Sequence, residues 1–278
     1  MANSDLAAGL FVSRAEIERM ASAAAVILDC RQELAARNAD LVGEATIGAA
    51  TIADWRHYPD GEVFDPKSYA QYFFHAHPAT TRPARERGHF HTFLRAEGMP
   101  VGVAPLLLPE LAVADVAARP PQAAPIKRGE RDEVSHLIAI AVDFRGEPIR
   151  LFTTNRWVTG ETWYPADDVI RMLGQFTVAD VAPSEALNRW VGAMIQLFQP
   201  QIVALLRARD EAVMAWRRRR RTHVFEDVRL EITSSLDIAL DDQFAFLDRA
   251  RSRSAKGALP RLPDPPMMAE GWGGDHTP

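Results

Sequence analysis

Residues 71–93, QYFFHAHPATTRPARERGHFHTF, carry two His-x-His pairs, His75/His77 and His89/His91, four of the chain's eight histidines. Neutral imidazole is a ligand for zinc, iron, copper or nickel. Three histidines around an open coordination position can activate water or hold dioxygen, whereas four closed around an ion make a structural site.

Spacing decides whether the four can meet. In a strand, alternate residues share a face, so His75 and His77 lie with Gln71 and Phe73, and His89 and His91 lie with Phe93. One antiparallel register, with His77 opposite His89 and His75 opposite His91, sets all four on one face as a square. Opposed Cβ atoms then lie about 4.5–5.5 Å apart, and imidazoles reach a zinc at about 2.0–2.1 Å from such positions. A slip of one residue sends one pair to the opposite face. His136 opens the next strand and is a further candidate ligand. His57 lies in a turn-rich segment from which it could approach, and Glu97 and Glu110 are the nearest carboxylates that follow. The expected cofactor is a divalent transition metal, zinc or iron, on His75, His77, His89, His91 and His136. Two blander readings stand beside it: a metal-free polar pocket, and a sheet face of hydrogen-bonded histidines. The spacing departs from the cupin pattern, because no glutamate follows either His-x-His pair at the cupin distance.

A second candidate is FTTNRWVTGETWYP, residues 152–165. Its Asn155, Arg156, Trp157 and Glu161 combine aromatic area with a charged donor and acceptor, as a small-molecule site does; the alternative is core tryptophans and an internal ion pair. The run Trp216–Arg221 could grip phosphate, but acids follow it, and cations also suit a helix C-terminus. With a net charge of −5, nucleic acid is not the expected partner. A small molecule and a second copy of the chain are.

These residues need a scaffold. Ser13 and Glu16 form a capping-box pattern ahead of a helix over 13–38, and a short helix is expected over 40–49. Residues 54–67 read as turns. Strands are expected over 68–77 and 89–95, a hairpin over 134–143 and 149–154, and a strand over 228–234. Further helices are expected after Pro165, over 184–220 with a kink at Pro200, and over 237–251. Runs of strands and of helices, without βαβ alternation, predict an α+β fold. Its antiparallel sheet of about four to six strands is packed by N-terminal and C-terminal helices. Residues 1–251 form one domain, with 97–133 as a proline-rich surface excursion, and 252–278 read as a disordered tail.

Apolar residues make up 47% of the chain, enough for a full core. A single cysteine, Cys30, excludes an internal disulfide and any multi-cysteine zinc site. No window has the roughly 18 apolar residues of a membrane helix, and the N-terminus lacks a signal-peptide pattern. The expected location is the cytoplasm.

The segments HYPDGEVFDPKSYAQYFFHAH, GHFHTFLR, SHLIAIAVD with GEPIRLFTTNRWVTGETWYPADDVI, and NRWVGAMIQLFQPQIVALLRARD together resemble a family of uncharacterised bacterial proteins, a domain of unknown function. The resemblance spans roughly residues 50–225. It implies a bacterial origin and a single shared domain, and it carries no activity. The functional expectation is therefore a histidine-coordinated metal protein or metal-dependent enzyme. The alternative is a non-catalytic interaction module using loop 155–164 and the long helix 184–220.

Overall fold

The computed structural model describes residues 12–108, 133–220, 223–254 and 261–262. Six strands, β1 (Tyr58–Phe64), β2 (Ala70–His75), β3 (Glu86–Arg95), β4 (Val134–Asp143), β5 (Pro148–Thr154) and β6 (Ile232–Asp237), form one antiparallel sheet in chain order. The helices are α1 (Arg14–Ala36), α2 (Leu41–Ala45), α3 (Arg156–Thr159), α4 (Ala166–Leu173), α5 (Glu185–Leu197), α6 (Gln199–Arg220) and α7 (Leu240–Ser254). The architecture is α+β.

The sheet's two faces differ in kind. Tyr72 and Phe74 of β2, Phe90 and Leu94 of β3, Ile138, Ile140 and Val142 of β4, and Leu151 of β5 join the main core with Ile17, Ile27, Trp190, Met194 and Leu205 of the helices. Removing this much apolar surface from water is the dominant stabilising term of the fold. The other face carries the histidines. Tyr72 ties the sheet to α5 through a 2.6 Å hydrogen bond from its hydroxyl to Asn188 Oδ1. The α1 capping box forms, with the Ser13 N–H donating to Glu16 and the Glu16 N–H to Ser13 Oγ.

Strand β1 departs from the turn expected over 54–67. As an edge strand it tolerates Pro59 and a break in its ladder, and its pairing with β2 shifts between Tyr58 and Val63, where Gly61 and Glu62 both take positive φ. The break in the long helix falls at Phe198, with a 71° bend between α5 and α6. Pro200 sits in the first turn of α6, where its missing N–H goes unneeded. Strand β6 and helix α7 begin a few residues later than expected. No single helix among the described residues is long and apolar enough to cross a membrane. Ala96–Gly98 form a 3₁₀ turn, and after a second turn at 101–102 an extended run through 108 pairs Leu106 N with Trp163 O at 2.8 Å. Most of the expected excursion, 109–132, and most of the expected tail lie outside the described residues, although α7 includes 252–254 and Leu262 is buried in the core.

Candidate metal centre

On β2 and β3, His75 lies opposite His89 and Phe73 opposite His91. This register is two residues away from the one that makes the square. An even slip preserves the face, so all four histidines stay together, but their geometry becomes staggered. His75, His89 and His91 converge: ring centroids are 4.5 Å apart for His75/His89, 4.9 Å for His89/His91 and 5.2 Å for His75/His91. One nitrogen from each of the three lies within 4.8 Å of the other two, and all three side chains are buried. His77 falls just past the end of β2, half-buried, with its ring 5.0 Å from that of His89 and 4.2 Å from that of Trp55.

Two bulges complete the arrangement. Strict alternation would set Glu86 on the face opposite His89. The β3–β4 pairing shifts between Glu86 and Gly88, so Arg87 is the extra residue and Glu86 turns onto the histidine face. Its Oε1 then lies 2.7 Å from His89 Nδ1, and its Oε2 accepts from Arg150 at 2.6 Å. Gly88 is required here: a Cβ would lie 2.5 Å from both His75 O and the Phe74 ring. The second shift lies between Thr92 and Phe93. With Leu137 as the extra residue, His136 leaves the helical face of β4 for the histidine face, where its Nε2 lies 3.0 Å from His91 Nδ1. His57 stacks on Phe73 at 3.6 Å and meets His75 edge-on at 5.5 Å, with its Nδ1 2.7 Å from Glu62 Oε1.

The electrostatics keep His75, His77, His91 and His136 neutral. Burial, reinforced by the neighbouring histidines, holds His75 and His91 well below the usual histidine range. Burial also takes His136 to about 3 and His77 to about 4. Desolvation alone would raise Glu86, but the hydrogen bond from His89 and the charge of Arg150 bring it below the usual carboxylate range. An ionised Glu86 accepts from His89 Nδ1–H, which leaves Nε2 of His89 with a lone pair. That nitrogen faces His75 Nε2 at 2.7 Å. A carboxylate that orients a histidine through its far nitrogen is the usual second layer of a metal site, and it raises the basicity of the ligating nitrogen.

A cleft of about 530 Å³ opens onto the triad, reaching His89 and His91 between Trp55, Arg82, Phe152 and Glu231. Among the loop residues proposed for ligand binding, none lines this cleft. Asn155 caps α3 and donates from its side chain to Val224 O at 2.8 Å; Arg156 pairs with Glu226; Trp157 Nε1 donates to Leu230 O at 2.9 Å. Glu161 is buried, and its Oε2 accepts the backbone N–H of His136 at 2.7 Å. Desolvation, against the opposing charges of Arg209 and Arg156, raises its carboxyl to about 7. The loop thus fastens β5 and the head of β4, and its neighbours Thr154 and Val158 line the cleft instead. Glu97 is exposed on its 3₁₀ turn, and Glu110 lies outside the described residues. Arg217–Arg220 end α6, with Arg220 over the Trp216 ring at 5.2 Å; Arg221 lies outside the described residues. Sequence reasoning missed Glu86, because no residue spacing announces a bulge, and Arg150 and Thr154, because which face of β5 meets the histidines depends on its register with β4.

The model of a family described as Domain of unknown function (DUF6969) matches residues 21–238, a wider span than the motif resemblance covers. No curated protein and no solved structure matches the chain.

Proposed function

The chain belongs to the DUF6969 family, and we propose that it is a metal-dependent protein in which His75, His89 and His91 hold one divalent transition ion, zinc or iron. The observation that carries this reading is the pairing of three converging, buried imidazoles with a carboxylate, Glu86, that fixes the far nitrogen of one of them. His77 lines the same cleft as His89 and His91, its ring 4.9 Å from that of His75 and 5.0 Å from that of His89, but its nitrogens fall outside the converging set, which favours three protein ligands and an open side over a closed structural site. Such an ion supplies Lewis acidity or an activated water. His136 and Glu86 orient the ligands from behind, and Arg150 holds Glu86 ionised. Cys30 is the single cysteine and is buried, which fits a reducing compartment; a cytoplasmic location is part of the proposal.

One distance favours a second reading. Two nitrogens on a tetrahedral zinc are about 3.3 Å apart, given bonds of about 2.0–2.1 Å. His75 Nε2 and His89 Nε2 are 2.7 Å apart, a hydrogen bond, as in a metal-free polar pocket. Elemental analysis of tag-free protein separates the two, run beside the His89→Ala/His91→Ala variant with its fold checked by circular dichroism. Near-stoichiometric metal in the parent, lost in a folded variant, is expected. No metal in either, after reconstitution with zinc and with anaerobic iron, would leave the metal-free pocket.

A further inference from the structure

One buried side-chain oxygen among the residues lining the cleft has no hydrogen-bond partner in the fold. Thr154, the last residue of β5, is 2% exposed and lines the cleft, and its Oγ1 has no hydrogen-bond partner. The adjacent Thr153, on the opposite face, is engaged with Thr233 at 2.8 Å and Ser234 at 2.6 Å. Buried hydroxyls in native proteins are normally paired, and an unpaired one calls for a partner from outside the chain.

The path from Thr154 to the triad is open. Between the β3 histidines and Phe152 of β5, strand β4 presents Ala139 and Ala141 to this face, with His136 against His91 at the Thr154 end. The charged groups around the cleft are also largely assigned: Glu86 is held by His89 and Arg150, and Arg82 donates to His77 O and Arg87 O. A divalent ion on three imidazoles would make the base of the cleft positive, with one buried, unpartnered hydroxyl to the side, Thr80 and Thr81 at the more exposed rim, and an apolar wall of Phe152, Val158 and Ile232.

We propose that the cleft binds a small organic carboxylate, one oxygen toward the ion's open side, the other accepting from Thr154 Oγ1–H, and its apolar part along Phe152, Val158 and Ile232. This inference rests on the metal reading above. The two oxygens of a carboxylate match one open position and one hydroxyl. A phosphate ester brings more oxygens and more charge than the one buried, unpartnered hydroxyl can meet. Glu231, on the same cleft, opposes any anion and so limits the charge the site accepts.

The test is calorimetric titration of the zinc-loaded full chain with benzoate, with benzamide as its neutral counterpart and with phenyl phosphate, after measuring zinc content in the same samples. Benzoate is expected to bind about ten- to hundredfold more tightly than benzamide, the range of a charge-assisted hydrogen bond, and more tightly than phenyl phosphate. Thr154→Val should remove most of that preference and Thr154→Ser should keep it. Glu231→Gln should tighten benzoate and leave benzamide unchanged. Equal binding of benzoate and benzamide, a preference for phenyl phosphate, or an unchanged preference in Thr154→Val would overturn the proposal. Zinc-loaded protein that ignores benzoate removes this inference alone. Protein that takes up no zinc removes the metal reading, and this inference with it.

Discussion

Glu86 and His89 are three residues apart on one strand, yet they face the same way, with Glu86 Oε1 2.7 Å from His89 Nδ1. A single extra residue, Arg87, produces that juxtaposition. It commits one nitrogen of His89 to the carboxylate and leaves the other facing His75 and His91.

Replacing Glu86 with Gln keeps the shape and removes the charge. Loss of a carboxylate behind a ligating histidine lowers metal affinity by about 10–100-fold. Competition against a chromophoric chelator measures this, and an affinity equal to that of the parent would show that Glu86 does not orient the ligand.

Gly88 lets β2 and β3 approach beside His75 and His89. Gly88→Ala would bring a Cβ to 2.5 Å from His75 O, which is backbone and gives way only by moving the strand. Overpacking of this kind costs about 1–3 kcal/mol. Urea denaturation should show that loss together with weakened metal uptake, because the displaced carbonyl belongs to a ligand residue. A variant as stable as the parent would contradict the close approach.

Tyr72→Phe is the complementary variant, because it acts on the helical face. It leaves the buried Asn188 Oδ1 without its donor, a loss of about 1–3 kcal/mol. Metal stoichiometry should be unchanged. A parallel loss of metal would mean that the two faces are not independent.

Acid should destabilise the metal-free protein. Four histidines of this face have folded pKa values below the unfolded value of about 6.5: about 4 for His77, about 3 for His136, and well below normal for His75 and His91. The unfolded chain therefore binds more protons. Their contribution is complete above about pH 6.5 and is lost as pH falls through the folded values. Glu161, raised to about 7, has the opposite sign: its contribution is present below its unfolded pKa and is lost as pH rises toward 7. Glu231 and Asp237, raised by burial, act in the same sense as Glu161, and four strongly lowered histidines outweigh them, so unfolding free energy should fall from pH 6.5 toward pH 4. Glu161→Gln should make that fall steeper. A flat profile across this range would show that the imidazoles are hydrated, not buried.

Periodicity and capping settled much of this molecule in advance. Ser13 and Glu16 announced α1, the apolar run in SHLIAIAVD with the following Arg145–Pro148 turn announced the β4–β5 hairpin, and the separate runs of strands and helices announced an α+β fold. The two-residue period of a strand placed His75, His77, His89 and His91 on one face, and that conclusion survives any even slip in register. The tertiary structure decided what that face contains. The pairing of His75 with His89 is two residues from the square arrangement, which selects His75, His89 and His91 as the converging set and leaves His77 at the margin. The extra residues Arg87 and Leu137 brought Glu86 and His136 onto the face, against the parity of the chain. The physical reason is the same in each case. Alternation is a local property of the backbone, whereas register and bulges depend on which side chains pack across strands, here Phe74 against Gly88 and the β4 isoleucines against the helices, and those contacts exist only once the chain has folded.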